Sequence, residues 1–198
     1  MACEDCGEPE ARFSLGGVEV CDRCFDRRIA EHTGFPRLPE PPPPLVLAGP
    51  DDRRHRLRFR IWRAPTGIEV ELEEMDVPVG EGYKFAVLGE HDADVDHLVE
   101  HVQRQAEAEV GRLYLEPADH RDGWVVDDEV AGRFVWNDEE PRGTPYRVVV
   151  DGRTLSWEEL GRALEPYEGW NFRLVIEDSI GDARPDAQII ELPRSGDG

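Results

Sequence analysis

The chain has 198 residues, enough for one ordinary domain with a small appendage or for two small domains. Hydrophobic residues make up 39% and charged residues 34%, so a core is possible only beneath a heavily charged surface. The net charge of −21, from 44 Asp plus Glu against 23 Lys plus Arg, has the wrong sign for gripping phosphate backbones and points to neutral or basic partners.

The first residues, Met1-Ala2-Cys3-Glu4-Asp5, are acidic and lack the layout of a signal peptide. No apolar stretch approaches the roughly 18 residues a membrane span needs. A cytoplasmic protein without a membrane contact is therefore expected, with its four cysteines unpaired in a reducing compartment. Their spacing is Cys3-x2-Cys6, fourteen residues, then Cys21-x2-Cys24. Two residues between cysteines let a tight turn present both sulfurs to one tetrahedral ion, and two such turns complete four ligands. Phe13-Ser14-Leu15 and Val18-Glu19-Val20 alternate around Gly16-Gly17, a hairpin turn, and the residues after Cys21 read as a helix ended by Gly34. Knuckle, hairpin and then a helix carrying the last ligands resembles a treble-clef zinc finger. The expected core of Phe13, Leu15, Val18, Val20, Phe25 and Ile29 is too small to hold residues 1–35 alone. Metal binding of roughly 10–16 kcal/mol in comparable sites can do so. One structural Zn2+ at Cys3, Cys6, Cys21 and Cys24 is expected; iron shares the four-thiolate ligand set. A thioredoxin-type redox pair would need a strand before Cys3, where there is no room.

Residues 36–52 read as a Pro-rich linker, since Pro36-Arg37-Leu38-Pro39-Glu40-Pro41-Pro42-Pro43-Pro44 must be extended. Residues 53–192 read as one α+β domain with a mainly antiparallel or mixed sheet and two principal helices. Leu57, Phe59 and Ile61 alternate with arginines, and Ile68, Val70 and Leu72 alternate with glutamates. Folding the runs across Ala64-Pro65-Thr66-Gly67 pairs Ile61 with Val70, Phe59 with Leu72, Arg60 with Glu71 and Arg58 with Glu73. The linear Arg53–Arg58 run thus faces carboxylates and is no nucleic-acid patch. A further strand is expected at 83–88. A helix over 93–112 presents Val95, Leu98, Val99, Val102, Ala106 and Val110 as one stripe.

Strands are also expected at 112–115, 123–126 and 132–136. Tyr146–Val150 reads as a strand and Asp151-Gly152 as a turn. Ser156-Trp157-Glu158-Glu159 is a capping box opening a helix. Phe172-Arg173-Leu174-Val175-Ile176 then completes a β-α-β unit whose helix packs on a sheet shared with the earlier strands. Residues 193–198 are a polar tail.

His97-Leu98-Val99-Glu100-His101 matches an inverted zinc-protease pattern. At 100° per residue, however, His97 points away from the apolar stripe, so these side chains read as a solvated face. Acidic pairs such as Asp94/Asp96, Asp127/Asp128 and Glu139/Glu140 come with no nucleophile or metal partner, and no catalytic residue is identified. Trp62, Trp124, Trp136, Trp157 and Trp170 read as core or half-buried packing residues.

The four cysteines, together with Val149-Val150-Asp151-Gly152-Arg153-Thr154-Leu155-Ser156-Trp157-Glu158-Glu159-Leu160-Gly161 and Tyr167-Glu168-Gly169-Trp170, resemble an uncharacterised bacterial family. Its members join an N-terminal zinc finger to an α+β domain of unknown function. The resemblance implies a bacterial source and a zinc site at the cysteines, and supplies no activity. The composition and motifs favour a non-catalytic protein-interaction or adaptor module whose partner is another protein. The alternative is a regulator touching DNA or RNA through the finger. Residues 1–35 carry eight acids and four arginines, which weighs against it.

Overall fold

The computed structural model describes residues 1–78, 80–119, 122–136, 146–178 and 180–182; the expected polar tail and the Glu139/Glu140 pair lie outside them. The N-terminal hairpin joins β1 (Phe13–Leu15) to β2 (Val18–Val20), with Phe13 opposite Val20 and Leu15 opposite Val18. Gly16 and Gly17 take φ of 62° and 84°, the left-handed pair that a two-residue hairpin turn requires. Helix α1 (Asp22–Thr33) starts directly after Cys21 and stops at Gly34, whose amide donates back to the Ala30 carbonyl. Val20 is buried beside three of the cysteines, with Phe13, Val18 and Phe25 packed against them. The rings of Phe13 and Phe25 stack at 4.2 Å. Leu15 and Ile29 are only half-buried.

Residues 36–44 form no helix or strand, as the prolines dictate, but their start is held in place. The Leu38 amide donates to Asp26 on α1, and Arg63 donates to the Pro36 carbonyl. The spacer expected to reach Asp52 is shorter than that. Strand β3 (Leu45–Ala48) begins where the prolines end and pairs antiparallel with the edge of β4 (Arg54–Ala64). Freed of proline, its amides can join the ladder, and Leu45 and Leu47 turn inward while Val46 and Ala48 are exposed.

Strands β5 (Gly67–Glu74) and β6 (Lys84–Gly89) continue this sheet, and β12 (Ile180–Asp182) adds parallel to β6, giving the order β12-β6-β5-β4-β3. The β4–β5 hairpin has the expected register, Ile61 with Val70, Arg60 with Glu71, Phe59 with Leu72 and Arg58 with Glu73. Pairing continues to Ala64 and Gly67, so the turn is tighter than a four-residue loop. Gly67 is required there: its φ is 153°, and a Cβ would collide with the Gly89 carbonyl. Helix α2 (Val95–Val110) lays Leu98, Val102, Ala106 and Val110 on the face formed by Leu57, Phe59, Ile61, Val70, Leu72 and Val87.

The remaining elements form a second body around a separate core. Strands β7 (Leu115–Pro117) and β8 (Trp124–Val126) pair with each other, and β9 (Arg133–Trp136), β10 (Tyr146–Val150) and β11 (Arg153–Leu155) make a three-stranded sheet in the order β11-β10-β9. Helix α3 (Trp157–Ala163) carries the expected capping box, with both reciprocal bonds between Ser156 and Glu159. Tyr114, Leu115, Val126, Val148, Val150, Leu155 and Ala163 are its buried core. The span expected as one domain at 53–192 thus has two hydrophobic centres.

Two further expectations are corrected. Of the earlier strands, β10 shares its sheet only with β9, so α3 does not pack on the sheet of β3, β4, β5 and β6. Residues 172–176 form no strand and are exposed. Both edges of β10 are already taken, by β9 and β11, so the segment after α3 has no place beside it. Among the described residues the fold is α+β, with mainly antiparallel sheets and three α-helices.

Polar contacts tie the two bodies together. The carbonyl of buried Asp151 accepts from Arg53, while within the second body its carboxylate accepts from the amides of Tyr114 and Leu115. Arg153 pairs with Asp51 at 2.8 Å and lies over the Trp124 ring. Arg133 donates to the Gly80 and Gly82 carbonyls.

Candidate metal centre

The Cys3–Cys6 turn is closed by the Gly7 amide donating to the Cys3 carbonyl, while the Cys3 amide donates to Glu8. Cys21 ends β2's chain and sits at the N-cap of α1, and Cys24 lies in that helix's first turn. The four sulfurs lie within 4.8 Å of one another, and Cys6 and Cys21 are 3.6 Å apart. A tetrahedral ion with metal–sulfur bonds of about 2.3 Å separates its sulfurs by about 3.8 Å, so the cluster has the dimensions of a metal site. Cys3, Cys21 and Cys24 are buried and Cys6 is exposed; no disulfide joins them. The structure thus brings together all four residues that the spacing singled out.

Burial alone would raise the Cys3 thiol, but the amides of Cys21, Cys6 and Asp5 bring it down to about 6. Burial and the surrounding thiols push Cys24 up to about 12. A cation between them favours thiolate at every position, because it removes the mutual repulsion that burial magnifies.

The supporting side chains were not visible as such in the sequence. Asp5, between Cys3 and Cys6, accepts two bonds from Arg28 at 2.8 and 2.6 Å and one from Arg27 at 2.8 Å. It thereby staples the first knuckle to α1, and the Arg28 guanidinium first, then Arg27, holds its carboxyl below the usual range. Arg23 lies beside the Cys6 sulfur, which raises its own affinity for a proton. These arginines sit where four thiolates around a divalent ion would leave excess negative charge. Helical spacing puts them on the cysteine side, but nothing in the sequence named their partners.

The finger rests on the sheet face opposite α2. Arg60 is the junction: it pairs with Glu10 at 2.7 Å and Asp22 at 2.9 Å from the finger and with Glu73 at 3.1 Å from β5. Beside it, Phe13 meets Trp62 at 6.1 Å and Arg12 pairs with Glu71. The Arg/Glu stripe expected to satisfy itself across the hairpin therefore also serves as the seat for the finger.

Elsewhere, His97 and Glu100 are exposed and His101 is half-buried, and Glu100 pairs with Arg104 on the same helix. Asp94 caps α2 by accepting from the Asp96 amide. Sequence reasoning missed a buried pair, His55 Nδ1 to Glu74 Oε1 at 2.7 Å, whose second carboxylate oxygen accepts from the Tyr83 amide. Its period-two position was legible, on the same side of β4 as Leu57; its neighbours there, the Tyr83 ring edge-on at 4.9 Å and Leu47 opposite it on β3, were not. Trp62 is buried and Trp124 half-buried, but Trp136, Trp157 and Trp170 are exposed, contrary to the packing role expected of them. No helix among the described residues is long and apolar enough to cross a membrane.

Residues 39–111 match the family model of a domain of unknown function, DUF7686, and residues 114–181 match that of another, DUF7713. The boundary between them falls between the two hydrophobic cores, and the two matches support an uncharacterised family. The chain is 30% identical over 129 residues to the 1,4-alpha-glucan branching enzyme GlgB 1 of Rhizobium etli, covering 60% of this chain and 17% of that protein. It is 29% identical over 127 residues to the protein of that name from Rhizobium johnstonii, covering 59% and 16% respectively. The chain thus spans about a sixth of the length of these curated relatives. No solved structure matches it.

Proposed function

We propose that Cys3, Cys6, Cys21 and Cys24 hold one Zn2+ as a structural centre of a treble-clef-like finger, and that the protein is a non-catalytic interaction or adaptor module in the cytoplasm. The observation that carries this reading is the mutual approach of four sulfurs within 4.8 Å, two of them at the start of one helix. Four protein thiolates complete a tetrahedron, so no position is left for water or substrate. Zinc would supply only cross-linking of the two knuckles; the chain's own residues shape, neutralise and seat the site. The acidic surface and the engagement of Arg27 and Arg28 with Asp5 favour a protein partner over a nucleic acid. The activity named for the rhizobial relatives belongs to proteins of which the shared stretch is about a sixth.

Metal analysis with native mass spectrometry tests the centre. One zinc per chain is expected in the wild type and none bound stoichiometrically in Cys21→Ser; visible absorption from iron–thiolate charge transfer would replace zinc by iron. Affinity capture from the source cell, comparing wild type with Cys21→Ser, tests the adaptor role, and a gel shift at low salt would favour the nucleic-acid alternative.

A further inference from the structure

Helix α1 begins without a side-chain cap. Its N-cap residue, Cys21, brings its sulfur to the other cysteines and makes no capping hydrogen bond. The first amides of a helix lack partners within it, so an uncapped start frays. Cys24 lies in the same first turn. Both sulfurs of the second pair are therefore presented by a stretch that must be ordered before they can meet an ion. Within the finger, Asp5 holds Arg27 and Arg28, which lie one turn further along α1. The start itself is held from outside, by the bond from Arg60 to Asp22, the first residue of the helix.

Arg60 is placed by the sheet. Its strand, β4, is paired with β5 from Leu57 to Ala64, and the buried side chains of the first core all come from residues 57–110, none from the finger. The Arg60 guanidinium reaches Glu73 on β5 and two carboxylates of the finger, Asp22 and Glu10. Asp22 lies inside the second Cys-x2-Cys and Glu10 in the chain between the two pairs. A guanidinium so far removed from water repays its desolvation only while its partners are in place. It therefore draws both finger segments to fixed positions.

We infer that Arg60 is a positioning residue for the metal centre. By holding Asp22 and Glu10 it orders the start of α1 and the chain between the cysteine pairs before an ion arrives. The sheet thereby sets how tightly the finger holds its metal, although it supplies no ligand. This inference rests on the metal reading given above. The cost of ordering the helix start is met by the Arg60 contacts and no longer falls on metal binding. Coupling of this kind is reciprocal, so the ion strengthens docking by the factor by which docking strengthens the ion.

Zn2+ affinity of the reduced full chain, measured by competition with a chromophoric chelator, tests it. Arg60→Met should weaken Zn2+ binding by about 10-fold or more. Arg60→Lys should recover part of this, since an ammonium keeps the charge but lacks the fork that reaches three carboxylates. Arg153→Met, at the seam with the second body, should leave the affinity unchanged. In a double-mutant cycle, Asp22→Asn should add little once Arg60 is gone. Glu10→Gln alters only an exposed residue and should weaken binding about 3-fold, which keeps the test open if Arg60→Met does not fold. Unchanged affinity in Arg60→Met or, if that variant does not fold, in Glu10→Gln would overturn this inference and leave the metal reading intact. So would losses from Arg60→Met and Asp22→Asn that simply multiply. A wild-type chain that takes up no Zn2+ would remove both readings.

Discussion

Asp151 stands at φ 51°, in the left-handed region that strains most side chains but that Asp and Asn tolerate. Its buried carboxylate accepts from the Tyr114 amide at 3.0 Å and the Leu115 amide at 2.8 Å. Burial pushes its carboxyl up even though those amides pull the other way. A neutral acceptor should therefore serve nearly as well as a charged one. Asp151→Asn is expected to cost under about 1 kcal/mol, and Asp151→Ala about 2–3 kcal/mol, because two buried amides lose their acceptor. Urea denaturation compares them; equal losses would remove the hydrogen bonds from the account. The sign with pH follows: a raised carboxyl makes the folded state gain relative stability as pH falls from above that raised value toward about 3.9, and Asp151→Asn should flatten this slope. The Asp151-Gly152 turn was legible in the sequence. The carboxylate's task was not, since its partners lie 36 and 37 residues earlier.

Among the elements, α3 shows how a short helix depends on its cap. Seven residues are too few to be helical alone, so its stability comes from the capping box and from packing of Leu160 and Ala163 on the second core. Ser156→Ala should cost about 1 kcal/mol and speed amide exchange across α3 and β8 while leaving α2 unaffected. The Ser156 amide, then its hydroxyl, holds the Glu159 carboxyl below its usual range. The stabilisation is thus fully present above the unfolded value of about 4.3 and is lost as pH falls through the lower folded value. Hydrogen exchange over that acid range would show no local change at α3 if the box were dispensable. Elements set by such local bonds, including the Gly16-Gly17 hairpin and the β4–β5 register, agree with the sequence reading. Residues 172–176 do not, because a strand's pattern fixes which side is apolar and leaves open which edge receives it.

For the whole molecule, the first sheet is a shared wall. Helix α2 covers one face, and the finger covers the other through Arg60, whose side chain is 8% exposed. Asp22 and Glu10 reach it from positions 38 and 50 residues away. The finger's own core is small, so removal of a bound metal should release Asp22 and Glu10 from Arg60 and uncover Trp62. Chelation is expected to shift tryptophan emission to longer wavelength and raise proteolysis within 1–35. The spectral part of this response should be absent in Trp62→Phe. An unchanged emission on full metal loss would mean that the docked finger holds without the ion.

The sequence by itself determined what neighbours in the chain decide: the paired cysteines, the hairpin glycines, the facing arginine and glutamate stripes, the apolar stripe of α2 and the box at Ser156. Each depends on spacing over a turn or a hairpin, which the backbone periods convert directly into geometry. Only the tertiary structure decided that β3 continues the sheet, that the span after residue 53 has two cores, that Arg60 seats the finger, and that 172–176 pairs with no strand among the described residues. Those outcomes turn on competition among distant segments for the same edges and faces, and an apolar or charged pattern names no winner.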